Sequence, residues 1–135
     1  MTPTALRSLF PSTAYFNAAD VSYAKPTEHW LKDVFWPWFW MDRTNKGLLK
    51  WDRRNDCDSF ARSYVQSAQD CHALTQGNED EGLAVGQFYY HRDIGGAHAI
   101  VAAVTESGLT FIEPQNGRLL ALTPKEISTC YLCLF

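Results

Sequence analysis

Trp51-Asp52-Arg53-Arg54-Asn55-Asp56-Cys57-Asp58-Ser59-Phe60-Ala61 is the stretch on which the reading of the fold turns, because it sets a cysteine where a helix begins. From Cys57 to Ala73 the apolar residues Phe60, Ala61, Tyr64, Val65 and Ala68 recur at three-to-four spacing, which predicts an amphipathic helix. Asn55 or Asp56 offers a cap at its start, and Gly77 follows its end. Cys57 therefore falls in the first turn, where unpaired N–H groups and the helix dipole favour a thiolate. A free thiol ionises near about 8.5, and an imidazole beside a helix N-terminus lowers that value. Asp56 and Asp58 oppose the effect, because nearby negative charge disfavours a second anion.

Beyond this helix the hydrophobic period changes to two. Residues 87–91, 97–105, 109–113, 118–122 and 131–135 are short β-branched or aromatic runs separated by Gly, Pro and Asn, and predict strands. Thr105-Glu106-Ser107-Gly108 and Asn116-Gly117 are the expected hairpin connections. A four-residue loop with Gly108 as a bulge would set His98 opposite Glu113. A two-residue loop at Ser107-Gly108 would instead pair Glu113 with Ala102.

Cys57-Asp58-Ser59-Phe60-Ala61, Gly95-Gly96-Ala97-His98-Ala99-Ile100 and Phe111-Ile112-Glu113-Pro114-Gln115 occur in this order, and together they resemble the core of the transglutaminase-like and papain-like cysteine hydrolases. The resemblance spans Trp51 to Gln115 and is nearest to the bacterial transglutaminase-like group. It implies an α+β fold with a papain-like/transglutaminase-like core, in which N-terminal helices and the nucleophile helix pack on an antiparallel β-sheet. It also implies Cys57 as nucleophile, His98 as general base and Glu113 as the group orienting the imidazole, although Asp or Asn is more usual there. Gln115 and Asn116 are rivals for that third place. For the oxyanion hole the expected donors are the Cys57 N–H and the Trp51 indole, with Asn55 as a rival donor and packing as the other reading of Trp51. The resemblance to peptidoglycan-cleaving enzymes of the NlpC/P60 group is more distant, since His98 lacks their His-x-Gly pattern.

The chain has 135 residues, expected to form a single domain (1–135) with one core. Its net charge of −3 gives no electrostatic footprint for nucleic acid or an anionic membrane. No basic-then-apolar leader opens the sequence, which predicts a cytoplasmic protein or one exported without a standard signal peptide. Of the four cysteines, Cys130 and Cys133 look like half a metal or redox motif, but no second pair accompanies them and strand alternation would point them to opposite faces. No metal and no cofactor is expected. Cys71 reads as a small buried apolar residue, and His29, His72 and His91 carry no paired signal.

The segment Trp30 to Met41 holds more aromatic surface than one helix face can bury. Thr27 offers a cap, Trp30, Leu31, Val34 and Phe35 fit a helical stripe, and Pro37 should end or kink it. Its rings either roof the core or, at Trp36, Trp38 and Trp40, line a binding surface; Gly96 would let a substrate backbone pass close. The functional expectation is a Cys-His-Glu thiol hydrolase or amidase that cleaves or deamidates a peptide, isopeptide or glutamine amide through a Cys57 thioester. Its partner would be a peptide or protein substrate, cell-wall peptides included. Two alternatives stand beside it: a peptidoglycan peptide amidase, and a non-catalytic binding module that uses the aromatic segment 30–41.

Overall fold

The computed structural model describes residues 1–75 and 80–135. Gly77, expected to stop the long helix, lies outside the described residues. The central element is that helix, α3 (Cys57–Thr75), which begins at the expected residue. Asp56 supplies the cap: its carboxylate accepts from the Ser59 N–H at 3.3 Å and from the Ser59 hydroxyl at 3.1 Å. Phe60, Ala61, Tyr64, Val65 and Ala68 are all buried, so the predicted stripe is the face that packs on the sheet.

The sheet is built from β4 (Val85–Arg92), β5 (Gly96–Thr105), β6 (Gly108–Glu113), β7 (Arg118–Leu120) and β8 (Leu132–Leu134), each within a few residues of a predicted run. An N-terminal strand, β1 (Tyr15–Asn17), completes six strands in the order β1-β8-β4-β5-β6-β7. β1 joins β8 in parallel, and β2 (Tyr23–Ala24) and β3 (Gly82–Leu83) form a separate parallel pair. These pairings correct the expected papain-like core on a purely antiparallel sheet: the architecture is a mixed sheet closed at one edge by an N-terminal strand. Hydrophobic period identified most of the strands but carries no information on which distant segments pair, and strands of two or three residues have too few positions to show a period.

Alternation along β4 and β5 divides the core into two layers. On one face Val85, Val101, Ala103 and Ile112 meet Tyr64, Val65 and Ala68 of α3 together with Leu31, Phe35 and Phe39. On the other, Phe88, Tyr90, Ile100, Ala102, Val104 and Phe111 are covered by Leu6, Phe10 and Ala14 from the N-terminal segment and by Cys130, Cys133 and Phe135. That segment begins with α1 (Pro3–Arg7), and the Arg7 guanidinium folds it over by donating to the carbonyls of Phe10, Pro11, Ser12 and Ala14.

The aromatic segment is helical, but its first turns are wide: Trp30–Phe35 is π-helical, with the Trp36 N–H reaching the Leu31 carbonyl, and continues into α2 (Trp36–Asn45). Thr27 starts it as expected, accepting from the Trp30 N–H at 3.0 Å. Pro37 neither ends nor interrupts the helix, since it occupies the first turn of α2, where a missing N–H costs least. Leu31, Phe35 and Phe39 are buried against Tyr64, whose ring meets Phe35 and Phe39 edge-on at 4.9 and 5.1 Å. Arg43, only 4% exposed, locks α2 to α3 by donating to the Ser63 hydroxyl at 3.0 Å and lying 4.5 Å over the Phe60 ring.

Candidate functional site

Two regions hold the residues singled out from the sequence. The first is the end of the sheet beside the start of α3. Cys57, Asp58, Tyr89, Ala97, His98, Ala99 and Tyr131 line a shallow cleft of about 200 Å³ there. His98 and Glu113 do come together: Nε2 lies 2.8 Å from Glu113 Oε2, and the side chains are 10% and 13% exposed. They do so without standing opposite one another. The β5–β6 hairpin turns tightly on Glu106-Ser107 with Thr105 paired to Gly108, and the register runs to Val101 beside Ile112. One further step sets Glu113 beside Ile100, so it reaches His98 diagonally along the face that they share. Neither of the two loops considered from the sequence is the one used.

His98 pairs with Tyr90 across β4 and β5, and the two rings lie 6.1 Å apart. Burial pushes the Tyr90 hydroxyl up to about 12. Strand alternation assigns His98 to the face of Tyr90 and Ile100, whereas Tyr89, Ala97 and Ala99 take the α3 face. Among the described residues no hydrogen bond joins Cys57 to His98, and the imidazole Nε2 is held by the Glu113 carboxylate, the partner expected for it. Glu113 also accepts from the Gln115 N–H at 3.1 Å, so Gln115 supports the carboxylate through its backbone. Asn116 accepts from the Arg118 N–H within the turn.

The acidic pair flanking Cys57 is asymmetric. A hydrogen bond with Asp58 holds the Asp56 carboxyl below the usual carboxylate range, and the same contact raises Asp58. Asp58 also pairs with Arg62 at 2.8 Å one turn on. Trp51 is 54% exposed in the loop before α3. Asn55 is a structural residue: its Nδ2 donates to the carbonyls of Leu48 and Lys50 at 3.1 and 2.9 Å, and its Oδ1 accepts from buried Arg43. Gly96 opens β5 with φ +75° and open space around its α-carbon. The cleft residues that sequence reasoning missed are Tyr89 and Tyr131, whose rings lie 6.1 Å apart. Tyr89 was readable as a strand position two before His91, but Tyr131 reaches it only through the β4–β8 pairing.

The second region is the outer face of α2 and the π-helical turns before it. Val34, Trp38 and Met41 share one stripe and are 50%, 51% and 64% exposed. Trp40, two residues after Trp38, leaves the helix on the other flank of buried Phe39; it is 37% exposed and lies 5.3 Å from the Trp36 ring. Trp36 itself is half-buried against Gly117, whose φ of +72° and missing side chain leave room for the indole. Among the described residues no group of three or more His, Cys, Asp and Glu side chains is placed to hold a metal, and no helix is long and apolar enough to cross a membrane.

A mixed sheet with one long helix on one face and an N-terminal segment on the other is a fold shared with part of a lectin chain. No protein-family model and no curated protein matches the sequence. PSL1a in its E64 complex superimposes with a TM-score of 0.79 at 19% identity, covering 100% of this chain and 51% of that one. The lectin of Polyporus squamosus, bound to the human-type influenza-binding epitope Neu5Acα2-6Galβ1-4GlcNAc, gives 0.75 at 20% identity, covering 100% and 49%. This chain therefore spans about half the length of the solved chains that it matches, and at such identity the likeness defines the fold.

These findings correct the sequence-based identification. The likeness in three dimensions is to lectin chains, not to a transglutaminase-like or papain-like cysteine hydrolase. The Cys-His-Glu thiol hydrolase, and with it the amidase, protease-like and catalytic-triad descriptions, gives way on the same finding. Locally, Asp56 caps α3 and Asn55 ties two loops to Arg43, while His98 is bound to Glu113, the partner expected for it, and lines one cleft with Cys57 without a hydrogen bond to it. A peptide substrate loses its support together with the hydrolase.

Proposed function

We propose that this chain is a non-catalytic binding module whose ligand face is the aromatic segment 30–41 and whose ligand is a glycan. The observation that carries the reading is the exposure of Trp38, 51%, and of Trp40, 37%, on the two flanks of a helix anchored by buried Leu31, Phe35 and Phe39. Rings fixed in this way lose little conformational freedom on binding, and they offer flat apolar faces with an indole N–H at the edge. A pyranose has the matching character, with an apolar C–H face and a polar rim. Val34 and Met41 extend the same surface. Exposed apolar surface gathered into one stripe is a mark of interaction sites.

The fold shared with the Polyporus squamosus lectin supports a binding role, and the lectin's trisaccharide supplies the first ligand to test. Because the likeness covers about half of that lectin, the assignment of the ligand face rests on this chain's own surface. The experiment is calorimetric titration with Neu5Acα2-6Galβ1-4GlcNAc and with a panel of neutral and sialylated oligosaccharides, on the wild-type chain and on Trp38→Ala/Trp40→Ala. Binding by the wild type, and its loss in a variant of unchanged melting temperature, is the expected result. Absence of binding across the panel, or equal binding by the variant, overturns the proposal.

A further inference from the structure

Cys130 and Cys133 are three apart in sequence, and alternation along one strand would turn them away from each other. The structure places them otherwise, because β8 begins at Leu132 and Cys130 belongs to the connection from α4 (Pro124–Ser128). Its N–H is bonded to the Ile127 carbonyl at 3.1 Å, which directs its side chain inward, while Tyr131 faces solvent. Both sulfurs are buried in the core layer beneath the N-terminal segment, 3.3 Å apart. Cys130 Sγ also lies 3.7 Å from the Leu132 carbonyl.

We propose that Cys130 and Cys133 are a paired dithiol that closes to an intrachain disulfide when the chain meets a small-molecule disulfide, and that the N-terminal segment gates the reaction. The sulfurs need to approach by little more than an ångström to reach a bond of about 2.05 Å. The step is ordinary thiol–disulfide exchange. The Cys130 thiolate attacks one sulfur of the small disulfide, forming a mixed disulfide and releasing one thiolate. The Cys133 thiolate then attacks Cys130 Sγ, forming the intrachain S–S bond and releasing the second. The protein pair loses two protons and two electrons, and the reagent takes them up to become two thiols.

Order of attack follows from the contact between the sulfurs. Sharing a hydrogen with Cys133 holds the Cys130 thiol below its ordinary value, while Cys133 is pushed far up. Leu6, Phe10 and Ala14 share the buried core layer of the pair, and Arg7 clamps that segment through four backbone carbonyls. Such burial suits a staple closed during folding or slow opening, and it is the reverse of the exposed sulfur of a turnover-competent oxidoreductase. With only two sulfurs and no third His, Cys, Asp or Glu grouped with them among the described residues, a metal clip is not the better reading.

The test uses the full chain with Cys57→Ser and Cys71→Ser, leaving the pair alone. The folded protein is equilibrated in a series of reduced and oxidised glutathione mixtures, quenched in acid, denatured, labelled with N-ethylmaleimide and weighed. Expected are two labels in reductant, none in oxidant with a mass two hydrogens lower, and a higher melting temperature for the oxidised form. Phe10→Ala should close the bond several-fold faster than the parent, and Cys133→Ala should stop at a glutathione adduct on Cys130. Two labels persisting at mixtures that oxidise the urea-unfolded chain overturn the proposal, as does a stable glutathione adduct on the intact pair. Equal closure rates with and without Phe10 refute the gating.

Discussion

Replacing Asn55 by Ala should be among the most damaging single changes in this protein, although the residue precedes the long helix in a loop. Three hydrogen bonds are lost: two from Nδ2 to the carbonyls of Leu48 and Lys50, and one accepted from Arg43. Neutral bonds are worth about 1 kcal/mol each and bonds to a charged group about 1.5–3. Arg43 stays buried, with the Ser63 hydroxyl, the Phe60 face and the nearby charge of Asp42 around it. Two neutral bonds and one to a charged group come together to about 3.5–5 kcal/mol. For a chain of this size about 4 kcal/mol corresponds to a fall of roughly 10–20 °C in melting temperature. Urea unfolding followed by tryptophan fluorescence measures it directly. The reasoning also fixes a coupling: with Arg43→Met already present, removing Asn55 leaves no stranded charge, so the double variant should be more stable than the sum by about 1–3 kcal/mol. A cost below about 1 kcal/mol for Asn55→Ala, or strict additivity in the double variant, would refute the argument.

Other expectations follow from single features of the fold. The Tyr64 hydroxyl is fully buried and finds no hydrogen-bond partner among the described residues, so Tyr64→Phe should raise stability by about 1 kcal/mol in denaturant titration; a loss of that size would show the hydroxyl is satisfied. Gly117→Ala and Gly47→Ala both place a side chain at positive φ, but only the first drives a β-carbon to 2.4 Å from the Trp36 ring, while nothing lies within 4 Å of the second. The Gly47 change should cost about 1–2 kcal/mol and the Gly117 change clearly more; equal values would mean that the ring moves freely. Glu126 closes a capping box with Thr123, and its bonds to the N–H groups of Thr123 and Asp93 hold its carboxyl below the usual value of 4.5. A depressed carboxyl stabilises fully above its unfolded value and loses that contribution as pH falls through the folded one. Amide protection of Thr123 should therefore decline below pH 4.5 in the wild type and show no such decline in Glu126→Gln.

Much of the local structure was legible in the sequence. The three-to-four spacing from Phe60 to Ala68 marked the buried face of α3, and two-residue alternation marked β4 to β8, because burial on one side leaves a period along the chain. The strands β1, β2 and β3 were not legible, being two or three residues long and held by partners far away in sequence. The proximity of His98 and Glu113 was anticipated, yet by the wrong hairpin: the turn closes on two residues, and the contact is diagonal. The family assignment failed for a related reason. A cysteine at a helix start, a histidine on a strand and a carboxylate at a strand end are short patterns, and their order along the chain does not fix the fold that carries them.

The sequence by itself determined the long helix and the strands β4 to β8, which face of that helix is apolar, and that more aromatic surface exists near residues 30–41 than one helix face can bury. Those are properties of neighbours along the chain, set by side-chain chemistry and backbone period. Only the tertiary structure decided that β1 adds in parallel to β8, that Asn55 serves Arg43, that His98 is committed to Glu113, and that Cys130 turns inward beside Cys133. Each depends on contacts between residues whose spatial relation is set by pairing and packing, which local periodicity does not encode.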